Sequence, residues 1–204
     1  MKHYNIAFVG MGSIGKRHLG NVCDLIKVHG DTCAIDLYRS SMSRPLSEEV
    51  TSLVNNQYPY NEPVQKDYDM VFITNPTSLH LEAALKFRSH TKALFIEKPV
   101  FSSFEVSDEV ITMLDEIPSY VASPLRYNPL LQYIKWNVDI TKVISVRAIS
   151  SSYLPDWRPG QDYRKTYSAH ADLGGGVDID LIHEWDYLTW IFGMPTECIG
   201  VYGR

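Results

Sequence analysis

The first chemical signal in the chain is a set of three glycines near its start. Gly10-Met11-Gly12-Ser13-Ile14-Gly15 has the spacing G-x-G-x-x-G, directly after a short apolar run and at the opening of a helical pattern. That spacing suits a diphosphate. Gly10 permits a tight turn, Gly12 lets the backbone approach a ligand, and Gly15 allows helix to pack closely on strand. Free N–H groups at Ser13 and Ile14, with the positive end of the helix dipole, attract the anion. Gly10 to Lys16 also satisfies G-x-x-x-x-G-K, the phosphate loop of nucleotide hydrolases, but Arg17 stands where Ser or Thr would hold Mg²⁺. A dinucleotide is therefore the expected ligand.

The tip of the next strand selects between dinucleotides. In Ile35-Asp36-Leu37-Tyr38-Arg39-Ser40 the acidic residue falls mid-strand, which leaves Arg39, Ser40 and Arg44 at the tip to accept a 2′-phosphate. The sequence favours NADP over NAD. A second group, His170, Asp172, Asp178, Asp180, His183 and Glu184, has metal-ligand types, but Tyr187 occupies the place of the second histidine of H-E-x-x-H, so no metal is expected. Within it, His183 is suited to taking a hydroxyl proton because imidazole titrates near working pH. Asp180, three residues earlier, would share its helix face.

These groups need a scaffold. Tyr4–Val9, Ala34–Tyr38, Met70–Thr74 and Ala93–Ile96 read as short apolar strands, with helical spacing after Gly15 and again through Leu81, Ala84, Leu85 and Arg88. Continuous apolar strands alternating with helices imply a parallel sheet covered on both faces, an α/β fold of the doubly wound Rossmann type. After about residue 120 the pattern changes. Pro129–Trp136 reads as a short helix, Val143–Ser150 alternates like an antiparallel strand, Val177–Phe192 reads as one helix, and Cys198–Tyr202 as a last strand. Between them, Ser151 to Leu173 is too long for an idle connection. Its Tyr153, Trp157, Arg158, Tyr163, Arg164, Lys165 and Tyr167 mix rings with cations, which suits a sugar bearing a carboxylate or phosphate, and Arg126 is expected to line the same cleft.

Composition narrows the partners. A net charge of −5 lacks the positive field that nucleic acid requires. No stretch approaches the roughly 18 apolar residues of a membrane span, and the N-terminal apolar run is too short for a signal peptide. Cys23, Cys33 and Cys198 show no paired spacing. A cytoplasmic enzyme is the expectation.

Taken in order, the glycine loop, Thr74-Asn75-Pro76 with His80, Glu97-Lys98-Pro99, and Gly174-Gly175-Gly176 followed by Asp180 and His183 resemble the glucose-fructose oxidoreductase, inositol dehydrogenase and rhizopine-catabolism family, Gfo/Idh/MocA. The resemblance spans nearly the whole chain. It implies an NAD(P)-dependent oxidoreductase acting on a sugar, cyclic polyol or nucleotide sugar. Thr74, Asn75, Pro76, His80 and Glu97 would then belong to the cofactor site, and Lys98 would lie beside the nicotinamide and the substrate hydroxyl, with Glu97 helping to orient it. His183 would transfer the proton. The interval of three between Asp180 and His183 departs from the commonest family interval of four, which weakens the role of Asp180.

The same resemblance implies a Rossmann domain over residues 1–120 and the start of an α+β domain over 121–204. Family members continue that second sheet further, so this domain is expected to be incomplete, with a strand edge open to another copy of the chain. Two other readings remain at this stage: a catalytically inactive NAD(P)-binding sensor, and a structural assembly module.

Overall fold

A computed structural model of the chain describes residues 1–103, 105–173 and 175–201. Gly174 of the glycine triplet and Tyr202 of the last expected strand lie outside these, as do the side chains of Asp172 and Asp178.

Six strands form one sheet: β1 (His3–Val9), β2 (Thr32–Arg39), β3 (Asn56–Pro59), β4 (Met70–Ile73), β5 (Leu94–Ile96) and β6 (Ser119–Val121). Their spatial order is β3-β2-β1-β4-β5-β6 and every neighbouring pair is parallel. This is the doubly wound Rossmann order. The four expected strands are present with ends shifted by one or two residues. β3 and β6 are additions, because Asn-Gln-Tyr-Pro and Ser-Tyr-Val are too short and too polar to show a strand pattern.

Helices α1 (Ser13–Val28), α2 (Glu48–Leu53), α3 (His80–Phe87) and α4 (Asp108–Asp115) connect the strands. Side chains alternate across β1: Ile6 and Phe8 join Leu19 of α1 and Val50 of α2 on one face, while Ala7 and Val9 join Ala83, Ala84 and Phe87 of α3 on the other. Covering both faces is what makes the central strands β1 and β4 predominantly apolar. No helix among the described residues is long and apolar enough to cross a membrane.

Past the sheet come α5 (Pro129–Asn137), α6 (Val177–Asp180) and α7 (His183–Phe192), with short 3₁₀ turns between α5 and α6. Three expectations fail here. Val143–Ser150 is not a strand, and Ile144 and Ile149 are exposed. Residues 198–201 are not one either, with Ile199 and Val201 exposed. Alternation specifies a strand only where a neighbour supplies the ladder, and neither segment has one among the described residues. The single helix over Val177–Phe192 is two helices, broken where Leu181 departs from helical geometry at φ −100° and ψ 27°. Asp180 and His183 therefore do not share one helix face.

Candidate active site

β1 and β4 lie side by side where the strand order reverses, so a crevice opens beyond their carboxyl ends. A cavity of about 650 Å³ fills it. The glycine loop forms its floor. Gly10 has φ 85°, and a Cβ there would lie 2.8 Å from Asn75 Cα, so only glycine fits. A Cβ on Gly15 would lie 2.8 Å from Thr74 Oγ1, whereas one on Gly12 would meet nothing within 4 Å. Gly12 thus leaves open space above the backbone, and Ser13 and Ile14 border it. α1 starts with no side-chain cap, which leaves its first N–H groups for an anion.

The Thr74-Asn75-Pro76 turn forms the adjoining wall. Thr74 Oγ1 faces the carbonyls of Val9, at 3.2 Å, and Gly10, at 3.0 Å, and so stitches the two loops together. Asn75 Nδ2 donates to the Leu79 carbonyl, but its Oδ1 is buried without a partner. A buried orphan acceptor in a cavity wall fits a site built for a ligand's N–H or O–H groups. His80 is 1% exposed. Its two ring nitrogens lie 2.9 Å from the carbonyls of Pro99 and Asn75, tying the turn after β4 to the turn after β5. Burial holds its pKa below the ordinary imidazole value, opposed by those carbonyls and by Glu97.

At the far side of the floor, Asp36 is fully buried inside β2. It accepts from Asn56 Nδ2 at 2.8 Å and Tyr68 Oη at 2.9 Å and pairs with Lys66 at 3.0 Å. Its carboxylate is therefore committed to the core. Arg39, Ser40, Ser41 and Arg44 border the cavity instead. Arg39 donates to Gln57 Oε1 at 2.8 Å and to the Arg44 carbonyl, which braces the loop after β2.

Glu97 and Lys98 close the site from the end of β5. Glu97 is 8% exposed. It does not touch the Lys98 ammonium; its Oε2 accepts the Lys98 backbone N–H at 3.1 Å, and its Oε1 meets His18 Nε2 at 2.6 Å. Lys98 Nζ donates instead to the Asp180 carbonyl at 2.8 Å, the carbonyl freed where the helix breaks. Asp180 Oδ1 accepts from Tyr167 Oη at 3.1 Å. His183, the first residue of α7, has its pKa lowered by burial and then by the Lys98 charge, with Glu184, Glu97 and Asp186 acting the other way. The neutral ring, the form that accepts a proton, is thereby favoured.

The long loop delivers fewer groups than expected. Arg158 and Tyr167 border the cavity, and Arg158 makes no side-chain hydrogen bond or ion pair among the described residues. Tyr153, Trp157, Arg164 and Lys165 do not border it: Trp157 Nε1 donates to Ser152 Oγ, Arg164 pairs with Asp162, and Tyr153 and Lys165 are exposed. Arg126 is also elsewhere, in a two-pronged pair with Asp186 on α7, Nε to Oδ2 at 3.0 Å and Nη2 to Oδ1 at 2.6 Å. A carboxylate in reach outcompetes the cleft for a guanidinium. His18 is the residue that the sequence reading overlooked. Its signal was spacing: with Gly15, Leu19 and Val22 it falls on the i, i+3, i+4, i+7 stripe that faces the sheet, where a polar side chain must find a partner.

Residues 4–122 match a family described as the oxidoreductase family with an NAD-binding Rossmann fold. Over 202 residues the chain is 25% identical to an uncharacterized oxidoreductase, YrbE, of Bacillus subtilis, covering 96% of this chain and 55% of that protein. It is 24% identical to the NAD(+)-dependent scyllo-inositol 2-dehydrogenase of the same organism, covering 97% and 56%. The chain thus spans about half the length of the curated relatives it matches. Among solved structures it is similar to the WlbA (WbpB) dehydrogenase of Thermus thermophilus in complex with NAD and UDP-GlcNAcA, with a TM-score of 0.65 and 21% identity over 95% of this chain and 64% of that one. At that identity the likeness concerns the fold.

Proposed function

The chain belongs to the Gfo/Idh/MocA oxidoreductase family, and from that membership we propose that it moves hydride between a nicotinamide dinucleotide and a hydroxyl-bearing carbon of a sugar, polyol or nucleotide sugar. The observation that carries this reading is the convergence on one crevice of the glycine loop, the orphan Asn75 acceptor and the Lys98 ammonium. When bound, the nicotinamide supplies the hydride acceptor. Gly12 and the open start of α1 would hold the diphosphate, and Asn75 Oδ1 would accept a ligand hydrogen bond. Lys98 Nζ, exchanging its Asp180 carbonyl for the substrate oxygen, holds that oxygen by a charge-assisted bond. The hydroxyl proton passes to a ring nitrogen of neutral His183 as the carbon–oxygen double bond forms.

NADP is the proposed cofactor. The carboxylate that could have read ribose hydroxyls, Asp36, is locked in the core, while Arg39, Ser40 and Arg44 border the pocket. The B. subtilis relative named for NAD(+) makes this a point of departure from that protein. Arg158 supports a substrate with an anionic group, a class to which the UDP-GlcNAcA of the Thermus complex belongs. Calorimetric titration with NADPH and NADH, followed by turnover against a panel of sugars, polyols and nucleotide sugars, tests the proposal. NADPH is expected to bind more tightly, and Arg39→Asp to reverse the order. Equal or tighter NADH binding refutes the NADP preference, and binding of neither refutes the oxidoreductase reading.

A further inference from the structure

We propose that His18 is a positioning residue for Lys98, acting through the Glu97 carboxylate. The inference rests on the functional reading above only in giving Lys98 its role.

The geometry is a two-step link. His18 is on the sheet-facing side of α1, with its ring edge-on to Phe95 at 4.8 Å and tilted against Phe72 at 6.2 Å. These aromatic neighbours leave the ring little freedom, and its Nε2 meets Glu97 Oε1 at 2.6 Å with both side chains largely buried, 17% and 10% exposed. The other carboxylate oxygen accepts the backbone N–H of Lys98. Glu97 therefore has one oxygen for α1 and one for the turn that presents the ammonium. Remove the donor on α1 and the carboxylate becomes a buried charge with a single hydrogen bond, which drives it to rotate toward water and release the Lys98 amide. Because α1 opens at the glycine loop, the link also joins the helix that faces the diphosphate to the turn that faces the substrate. Glu97 contacts Lys98 through the main chain, so His18 sets where the turn sits rather than the charge on the ammonium.

The test uses the free chain, without cofactor or substrate, and compares His18→Phe, which keeps the ring and removes the donor, with His18→Gln, which restores an N–H at similar reach. The readout is amide hydrogen exchange resolved at Lys98. His18→Phe is expected to accelerate that exchange at least about tenfold while β1 and β4 keep their protection, as for a local opening, and His18→Gln is expected to restore it. Unchanged Lys98 exchange in His18→Phe, or no recovery in His18→Gln, overturns the proposal. Should His18→Phe fail to fold, nitrogen-15 spectra of the unmodified chain decide: the proposal requires a proton on Nε2 of His18 at neutral pH, and an unprotonated Nε2 refutes it. Failure of NADPH and NADH to bind would refute the oxidoreductase reading alone and leave these exchange results intact.

Discussion

The strands of residues 3–121 bury their apolar side chains in two clusters, one on each face of the sheet. After Ala122, Ile191 is the one fully buried apolar side chain among the described residues, while Leu130, Tyr133 and Trp136 on α5 and Trp185 on α7 are exposed. What holds the later residues is sparse and largely polar: Arg126 to Asp186, Lys135 Nζ to the Trp190 carbonyl at 2.5 Å, and Tyr167 to Asp180, with Trp136 and Trp190 edge to face at 6.4 Å. The site draws on both regions. Its floor and Lys98 come from the well-packed sheet, and Arg158 and Tyr167 come from the thinly packed remainder, whose Asp180 and His183 do not line the cavity. The glycine loop thus stands on the region with the buried core, and Arg158 and Tyr167 on the region with the fewest buried side chains.

Stability is where the contrast is expected to be largest. Phe87 is fully buried and packs edge-on to Tyr38 at 4.8 Å, so Phe87→Ala is expected to cost about 3–5 kcal/mol in denaturant unfolding of the sheet. Ile149 is 75% exposed, and Ile149→Ser is expected to stay within about 0.5 kcal/mol. Similar losses at the two positions would dissolve the comparison.

The next effect is on turnover. His183→Asn is expected to lower it by at least about 10²-fold with cofactor binding kept, the lower range for a positioned acid-base group. Because the His183 pKa is pushed below 6.5 in the folded chain, turnover in the oxidative direction is expected to hold as pH falls to 6.5 and to fail only below it, with that limb absent from the variant. His80 is depressed in the same direction. The unfolded chain binds protons that these two rings refuse when folded, so stability is expected to fall as pH drops through 6.5. An acid limb centred above 6.5 would remove His183 from the proton-transfer role.

Legibility in the sequence followed the same division. β1, β2, β4 and β5 are buried on both faces, and such strands write themselves as apolar runs with glycine or proline at their ends. The glycine loop was readable for a related reason, since two of its three glycines answer a steric demand visible in the fold, at Asn75 for Gly10 and Thr74 for Gly15. Val143–Ser150 failed because alternation records a half-buried surface without naming the neighbour that makes it a strand. The break at Leu181 was invisible for a different reason: the Asp180 carbonyl is satisfied by Lys98, 82 residues away in the chain. Arg126 was misplaced in the same way, because Asp186, 60 residues on, claims its guanidinium. Long-range polar partners leave no periodic trace.

The crevice beyond β1 and β4 is proposed to receive a nicotinamide dinucleotide over Gly12. A Cβ at Gly12 meets nothing within 4 Å in the free chain, so Gly12→Val is expected to leave the sheet intact while filling the space the diphosphate needs. Calorimetric titration of both proteins with NADPH, paired with their melting curves, is the direct measurement. The account predicts saturable binding by the unmodified chain, at least about tenfold weaker binding by Gly12→Val, a difference of roughly 1.4 kcal/mol, and coincident melting. Equal affinity in the two proteins, or no binding by either, would contradict it.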